Sequence, residues 1–422
     1  MNFKKMSVKV LSVVITLTMM LGVCAPFASA VALNNVDEKT ELSYVALGAS
    51  NTNGFGLMGY LEDELYNNPV NKMLGSVYGY KMEPEDAYPA LVAKALEEMT
   101  GKTVNLEQLA ISSMRAEELH VLLDNDYYGD KYTEWRFTAR QNWFNMAHKD
   151  GLDGLRKEYQ DFVANADVIT VDIGSNNFGV YASNRIFNNM FDADFTRFDE
   201  GTQRDIAKAK QEIEKLLNEY VADALTPELS AMLEHVVDTM TYALVGFCVN
   251  FDASMERIYE LNPDATVVVV NIQNLMHGLY ATLPGMEEPF AFGEFYGAIV
   301  DMANIYAASM SPYADRYYYA YIGEDGQAET FLKDIQDYTG NPTDLRKAVT
   351  DCFDVYDNDM FAKTRVLQAL LQMYSSLVSV TPECEFGVAD ILGSSDQALR
   401  NFSTAVCKNQ IVIAGAVTVQ EF

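Results

Sequence analysis

Histidine is scarce in this 422-residue sequence: there are four, and none follows His277. The five cysteines include no CxxC pair and show no zinc-ligand spacing, which argues against zinc ribbons and thioredoxin-like chemistry. No Walker loop, Rossmann fingerprint or HExxH motif is present, so no cofactor and no metal is expected. Asp334, Asp337 and Asp344 lie close together, but without the regular spacing and glycine turn of a calcium loop they read as a solvated acidic helix end. Basic residues are few, 30 against 60 acids, for a formal charge of -30. Such a surface repels phosphate backbones and anionic headgroups, so nucleic acid is not an expected partner, and neutral substrates fit better. The same charge also serves plain solubility. Linkers rich in Pro, Gly or Ser, charge blocks and internal repeats are all missing, so nothing divides the chain.

The first residues carry a different message. Lys4, Lys5 and Lys9 precede an apolar run from Val10 to Val23 and then Ala28-Ser29-Ala30, the small-x-small pattern of a cleavage site. The expectation is a secreted, extracellular protein whose residues 1–30 form a signal peptide cleaved after Ala30. Val23 before Cys24 disfavours a lipid anchor. Loss of three lysines takes the formal charge from -30 to -33. No later run is expected to be apolar for long enough to span a bilayer. Residues 31–422 read as a single domain with insertions near 125–160, 180–205 and 280–300 and a C-terminal extension from about 352. The insertions are rich in Tyr, Trp, Phe and Asn. They either wall a cleft or only seat themselves on the domain. Cys248, Cys352, Cys384 and Cys407 allow three disulfide pairings or free thiols.

Strand and helix patterns alternate. Ser43 to Leu47 is a short apolar run ended by Gly48-Ala49-Ser50-Asn51; Tyr88 to Met99 has helical spacing and is stopped by Gly101. Thr103 to Ile111 and Ala166 to Ile173 are further strands, Arg204 to Leu225 a long amphipathic helix, Ala265 to Ile272 a fourth strand and Tyr317 to Ile322 a fifth. Helical patterning from Lys363 to Val378 and a strand-like Ile411 to Val419 follow. Continuously apolar strands separated by helices imply an α/β fold with a parallel sheet covered on both faces, flavodoxin-like if the order is 2-1-3-4-5. Ligands of such sheets bind at the carboxyl ends of the strands, which singles out the loops at Ser50, Ser113, Asn176 and His277.

Each loop offers specific chemistry. The small residues Gly48 and Ala49 let a carbonyl approach the Ser50 hydroxyl and leave the Ser50 amide free to donate. Asn176 can aim a side-chain N–H at a developing oxyanion, and the Ser113 amide is a third donor. Gly48, Gly174 and Asn177 complete the candidate binding positions. Read separately, the same residues also serve as ordinary strand punctuation and an Asn turn.

Together the three loops resemble the blocks of the SGNH, or GDSL-type, hydrolase family between about residues 42 and 350. Gly48-Ala49-Ser50 is similar to its Gly-Asp-Ser block. NLEQLAISSMRAEEL is similar to its second block with Ser113 in the glycine position, and Gly174-Ser175-Asn176-Asn177 to its Gly-x-Asn-Asp block. The resemblance implies an esterase or lipase fold, Ser50 as nucleophile, and the Ser50 and Ser113 amides with Asn176 as oxyanion hole. Its substrate would be a small-molecule, lipid or glycan ester. The family's Asp-x-x-His block is missing; the nearest match, Tyr338 to Thr343, puts Asn341 at the histidine. His277, beyond the fourth strand, is the candidate replacement base. A domain with no base would bind a glycan or acyl ligand without turning it over.

Overall fold

The computed structural model describes residues 39–55, 80–137, 150–182, 185–186, 191–221, 227–274, 276, 279–282 and 290–321. Four short strands nearer the C-terminus are also described. In chain order the elements are β1 (Glu41–Gly48), α1 (Tyr88–Thr100), β2 (Thr103–Ala110), α2 (Ala116–Leu123), α3 (Gly151–Asn165), β3 (Val168–Asp172), α4 (Glu200–Tyr220), α5 (Pro227–Leu261) and β4 (Thr266–Val270). They continue with β5 (Leu279–Thr282), α6 (Phe292–Ile305), β6 (Tyr318–Tyr321), β7 (Ala348–Thr350), β8 (Val378–Val380), β9 (Ile411–Ile413) and β10 (Val417–Glu421).

The main sheet is parallel throughout, in the order β2-β1-β3-β4-β6-β7. Its first five strands reproduce the flavodoxin-like 2-1-3-4-5 order, and the predicted strands lie where the apolar runs are. The pleat explains why those runs are continuous. On one face Tyr44, Ala46 and Val168 pack against α1 through Ala93, with Val92 and Leu96 beside them. On the other, Val45, Leu47, Ile169, Val171, Val267 and Val269 join the main core with Leu155 and Tyr159 of α3 and Phe247 and Phe251 of α5. The result is a three-layer α/β/α arrangement.

The capping signals hold as well. Gly101 ends α1 in the left-handed region, φ 67°, and donates its N–H to the Glu97 carbonyl. Pro89 occupies the first turn of α1, where the missing N–H costs nothing. The long helix expected at Arg204 to Leu225 starts earlier, at Glu200, because the Asp199 carboxylate accepts from the Thr202 N–H as N-cap.

The 35-residue α5 differs from expectation. Its stretch Ser230–Leu261 is long and apolar enough to cross a membrane, contrary to the sequence reading, yet 67% of its apolar window is buried inside the protein. It is a core helix packed on α2 and α4. A second sheet, antiparallel, has the order β5-β10-β9-β8. The expected strand Ile411 to Val419 is thus two paired strands, β9 and β10. Of the helical patterning at Lys363 to Val378, only Val378 is among the described residues, and it begins β8.

Candidate active site

Ser50 lies two residues beyond β1, the strand between β2 and β3. Behind it the chain closes a tight turn in which the Asn53 N–H donates to the Ala49 carbonyl at 3.0 Å and the Phe55 N–H to the Ser50 carbonyl at 2.9 Å. The turn comes so close that a Cβ on Gly48 would lie 1.8 Å from the Thr52 Oγ1 and 2.9 Å from the Asp172 carbonyl oxygen. Only glycine fits there. Ser50 itself is half-buried.

Side chains then bind this turn to its neighbours. Asn53 donates to the Ala110 carbonyl (3.1 Å) and the Ser112 hydroxyl (3.2 Å) and accepts from the Met82 N–H (3.2 Å). The Gln108 amide donates to the Thr52 carbonyl at 2.6 Å and also to that of Met82. The loops after β1 and β2 are therefore tied to each other by side-chain hydrogen bonds. Ser113 sits at φ 66°, a left-handed conformation that a non-glycine residue adopts at some cost. The Arg136 guanidinium donates to the Ser113 carbonyl and fixes the loop from behind.

The third loop is joined to the second in the same way. Gly174 has φ 119°, and a Cβ there would meet Ile272 at 2.5 Å and Phe247 at 2.7 Å. Asn176 donates one side-chain N–H to the Met114 carbonyl at 3.0 Å, leaving its second N–H for another acceptor. Asn177, expected to contribute to binding, is fully buried. Its oxygen accepts from the Ala116 N–H (3.0 Å) and its amide donates to Glu117 (2.8 Å), so it anchors the start of α2. Ser50, Ser113 and Asn176 are thus brought to the same end of three adjacent strands.

The proposed base is not among them in the description, since His277 lies outside the described residues, as do His148, Tyr338, Asn341 and the three aspartates at 334, 337 and 344. His120 pairs with the Asn250 oxygen at 3.0 Å and stacks on Tyr127 with ring centres 3.7 Å apart; burial holds its pKa down. His235 contacts the Arg185 carbonyl at 3.0 Å. Both serve structure. Cys248 is a free thiol on α5, and Cys352, Cys384 and Cys407 lie outside the described residues.

No family model matches the chain, and no curated protein does either. Among solved structures it is similar to an extracellular lipase from Streptomyces rimosus, with 18% identity over 66% of this chain and 80% of that one and a TM-score of 0.28. A phospholipase A1 from Streptomyces albidoflavus gives 15% identity, 68% and 81% coverage and a TM-score of 0.31. A lipase from a goat rumen metagenome gives 13%, 78%, 97% and 0.30. Scores this low carry no argument. The flavodoxin-like fold rests on the sheet order.

Two features escaped the sequence reading. Asp172, at the end of β3, is buried, and burial raises its carboxyl pKa to about 7, partly offset by a 3.2 Å hydrogen bond from the Thr52 hydroxyl. Its visible signal was an acid near the end of the otherwise mostly apolar run ADVITVDI, the second after Asp167. The second is a buried ionic cluster just past Ser113. Arg115 binds Glu118 and Asp130, each at 2.8 Å, and Arg136 reaches Glu118 at 2.8 Å. Burial opposes these charges, but Arg115 and Arg136 outweigh it at Glu118, and Arg115 does so at Asp130. Both carboxyls are held below their usual range. The cluster fixes the base of the second loop; its hint in the sequence was Arg115-Ala116-Glu117-Glu118 directly after the loop.

Proposed function

We propose that this chain is a secreted SGNH-type serine hydrolase that cleaves an ester, an acyl or acetyl group carried on a lipid or a glycan. The observation that carries the reading is the locking of three strand-end loops around Ser50 by Asn53, Gln108 and Asn176. Positions held so firmly suit preorganised donors, which stabilise a developing charge without reorganising. In this reading the Ser50 hydroxyl attacks the ester carbonyl, and the Ser50 and Ser113 amides with the second Asn176 N–H hold the oxyanion. His277 accepts the Ser50 proton and returns it to the leaving alcohol; it then takes a proton from a water that attacks the acyl-serine, and returning that proton to Ser50 Oγ releases the acid and restores the hydroxyl.

The test is turnover of p-nitrophenyl acetate and butyrate by the protein without residues 1–30, beside Ser50→Ala and His277→Ala. Removing the nucleophile of a serine hydrolase costs roughly 10^6 in turnover, so Ser50→Ala is expected to fall to background. A fluorophosphonate probe should label the parent and not the variant. Equal rates from parent and Ser50→Ala would rule out the enzyme. Unchanged turnover in His277→Ala would remove His277 as base and leave the nucleophile standing.

A further inference from the structure

The turn that carries Ser50 is pinned at one further point, on the face of the sheet that packs against α1. There the fully buried Thr52 hydroxyl donates to the Asp172 carboxyl at 3.2 Å. Gly48 leaves the room for it, since a Cβ at that position would lie 1.8 Å from the Thr52 Oγ1. Asp172 stands opposite Gly48 in the pairing of β1 with β3, and two residues later Gly174 opens the loop that bears Asn176. One hydrogen bond thus joins the turn behind the nucleophile to the strand that leads into the third loop.

Behind this bond runs a line of hydroxyls. Tyr88 of α1 lies 3.2 Å from Thr52 and 3.5 Å from Thr170, and Thr170 lies 3.0 Å from Tyr44. Each hydroxyl has one proton to donate. With the Thr52 proton directed at Asp172, Tyr88 must donate to Thr52, Thr170 to Tyr88 and Tyr44 to Thr170, so the whole line points at the carboxyl. The neighbours of Asp172 are Gly48 on β1, Thr52 in the turn and Tyr88 on α1. Tyr88, and Tyr44 behind it, are the titratable ones, and burial keeps both protonated. Among the described residues no charged side chain pairs with Asp172, so a negative charge there has one hydroxyl donor and no cation to balance it.

Such a carboxylate is costly inside the protein, whereas the protonated carboxyl accepts the same Thr52 bond without burying a charge. Burial accordingly raises its pKa to about 7. When the turn opens and water reaches Asp172, the proton leaves near the ordinary value of 3.8 instead. Opening therefore becomes easier as pH rises between those two values and levels off above them. We propose that Asp172 and Thr52 form a pH-governed strut that positions the Ser50 turn, holding it firmly against β3 in acid and letting it open more readily towards neutrality. Its bearing on catalysis rests on the hydrolase reading above; the coupling of the turn to pH does not.

Hydrogen exchange of the Asn53, Gly54 and Phe55 amides reads the turn directly, because their bonds to the Ala49, Asn51 and Ser50 carbonyls close it. Corrected for the intrinsic rate at each pH, opening should increase between about pH 5 and about pH 7, by up to about fiftyfold for full exposure of Asp172. Asp172→Asn accepts the same bond and cannot ionise, so its profile should be flat. Thr52→Val keeps the shape and removes the donor; at about pH 5 it should open the turn about fivefold more, and Thr52→Ser should restore the parent value. Amides of β4 report global unfolding and should stay better protected than the turn throughout. A flat parent profile, a slope retained in Asp172→Asn, or turn amides as protected as those of β4 would overturn the proposal. Turnover alone would not isolate Asp172, since a histidine base titrates in the same range. Where p-nitrophenyl acetate is turned over, Thr52→Val should lower kcat with KM little changed and Thr52→Ser should recover it; an unchanged kcat would overturn the positioning of Ser50. A parent that neither turns over the ester nor takes the fluorophosphonate label would sink the hydrolase reading and leave the exchange result standing.

Discussion

At the scale of single residues, Asp172 ties the chemistry of the site to the stability of the protein. Its carboxyl is raised to about 7 in the fold by burial, while in the unfolded chain it titrates near 3.8. Between those values the native state holds a proton that the unfolded state has lost. Stability therefore falls as pH rises through that window and levels off above it. A shift of this size corresponds to an upper limit of about 4 kcal/mol. Asp172→Asn removes the titration and keeps the shape, so its advantage over the parent should be small at about pH 4 and grow towards that limit at about pH 8. Urea unfolding at both pH values reads the difference; an advantage that shrinks with rising pH would be the wrong sign. Ser113 invites a second measurement. At φ 66° it pays left-handed strain of about 1–2 kcal/mol that glycine avoids. Ser113→Gly should stabilise by up to about 1 kcal/mol, less than the strain because glycine is more flexible when unfolded. Gly174→Ala, at φ 119° and in collision with Ile272 and Phe247, should cost several times as much. If urea midpoints place the two changes in the opposite order, the backbone assigned to these loops is wrong.

At the scale of elements, α5 is held against α2 by an unusually close approach. A Cβ on Gly246 would lie 2.5 Å from the Glu117 Oε1, and Glu117 is itself pinned by the Asn177 amide at 2.8 Å. Gly246→Ala gains helix propensity worth about 1 kcal/mol but must push a fixed carboxylate, so a net loss of about 1–3 kcal/mol is expected. A urea midpoint equal to or above the parent's would show that α2 and α5 have room to slide. The contrast between elements also shows what the sequence discloses. Buried parallel strands such as β3 and β4 are apolar along most of their length and are followed by Gly or Asn, and α1 carries its own stop in Gly101; these are local signals, and they sufficed. Helix α5 has none of that clarity. It is covered on several sides, so its apolar residues form no single stripe and its period is blurred. The same logic divides the site: Ser50, Ser113 and Asn176 announce themselves by small neighbours at strand ends. Asn53, Gln108 and Arg136 act through contacts with residues far along the chain, which no local pattern records.

For the whole molecule the dominant quantity is the formal charge of -30, set against a buried cluster whose charges are matched. The two respond differently to salt. Surface acids repel one another through water, and raising ionic strength from about 0.01 M to about 0.15 M shortens the screening length from about 30 Å to about 8 Å. Arg115, at 0% exposure with Glu118 and Asp130 beside it, lies where ions do not penetrate, and its pairs are screened far less. The melting temperature should therefore rise with sodium chloride over this range, because the folded state concentrates the repulsion that salt relieves. Arg115→Met should lower stability by about 3–5 kcal/mol, since it strands Glu118 and Asp130 without their cation, but it should leave the slope of melting temperature against salt unchanged. Differential scanning calorimetry of both proteins across the series separates the two contributions. A parent that loses stability as salt rises would mean that exposed ion pairs, and not repulsion, govern its surface. A slope altered by Arg115→Met would mean that solvent reaches the cluster.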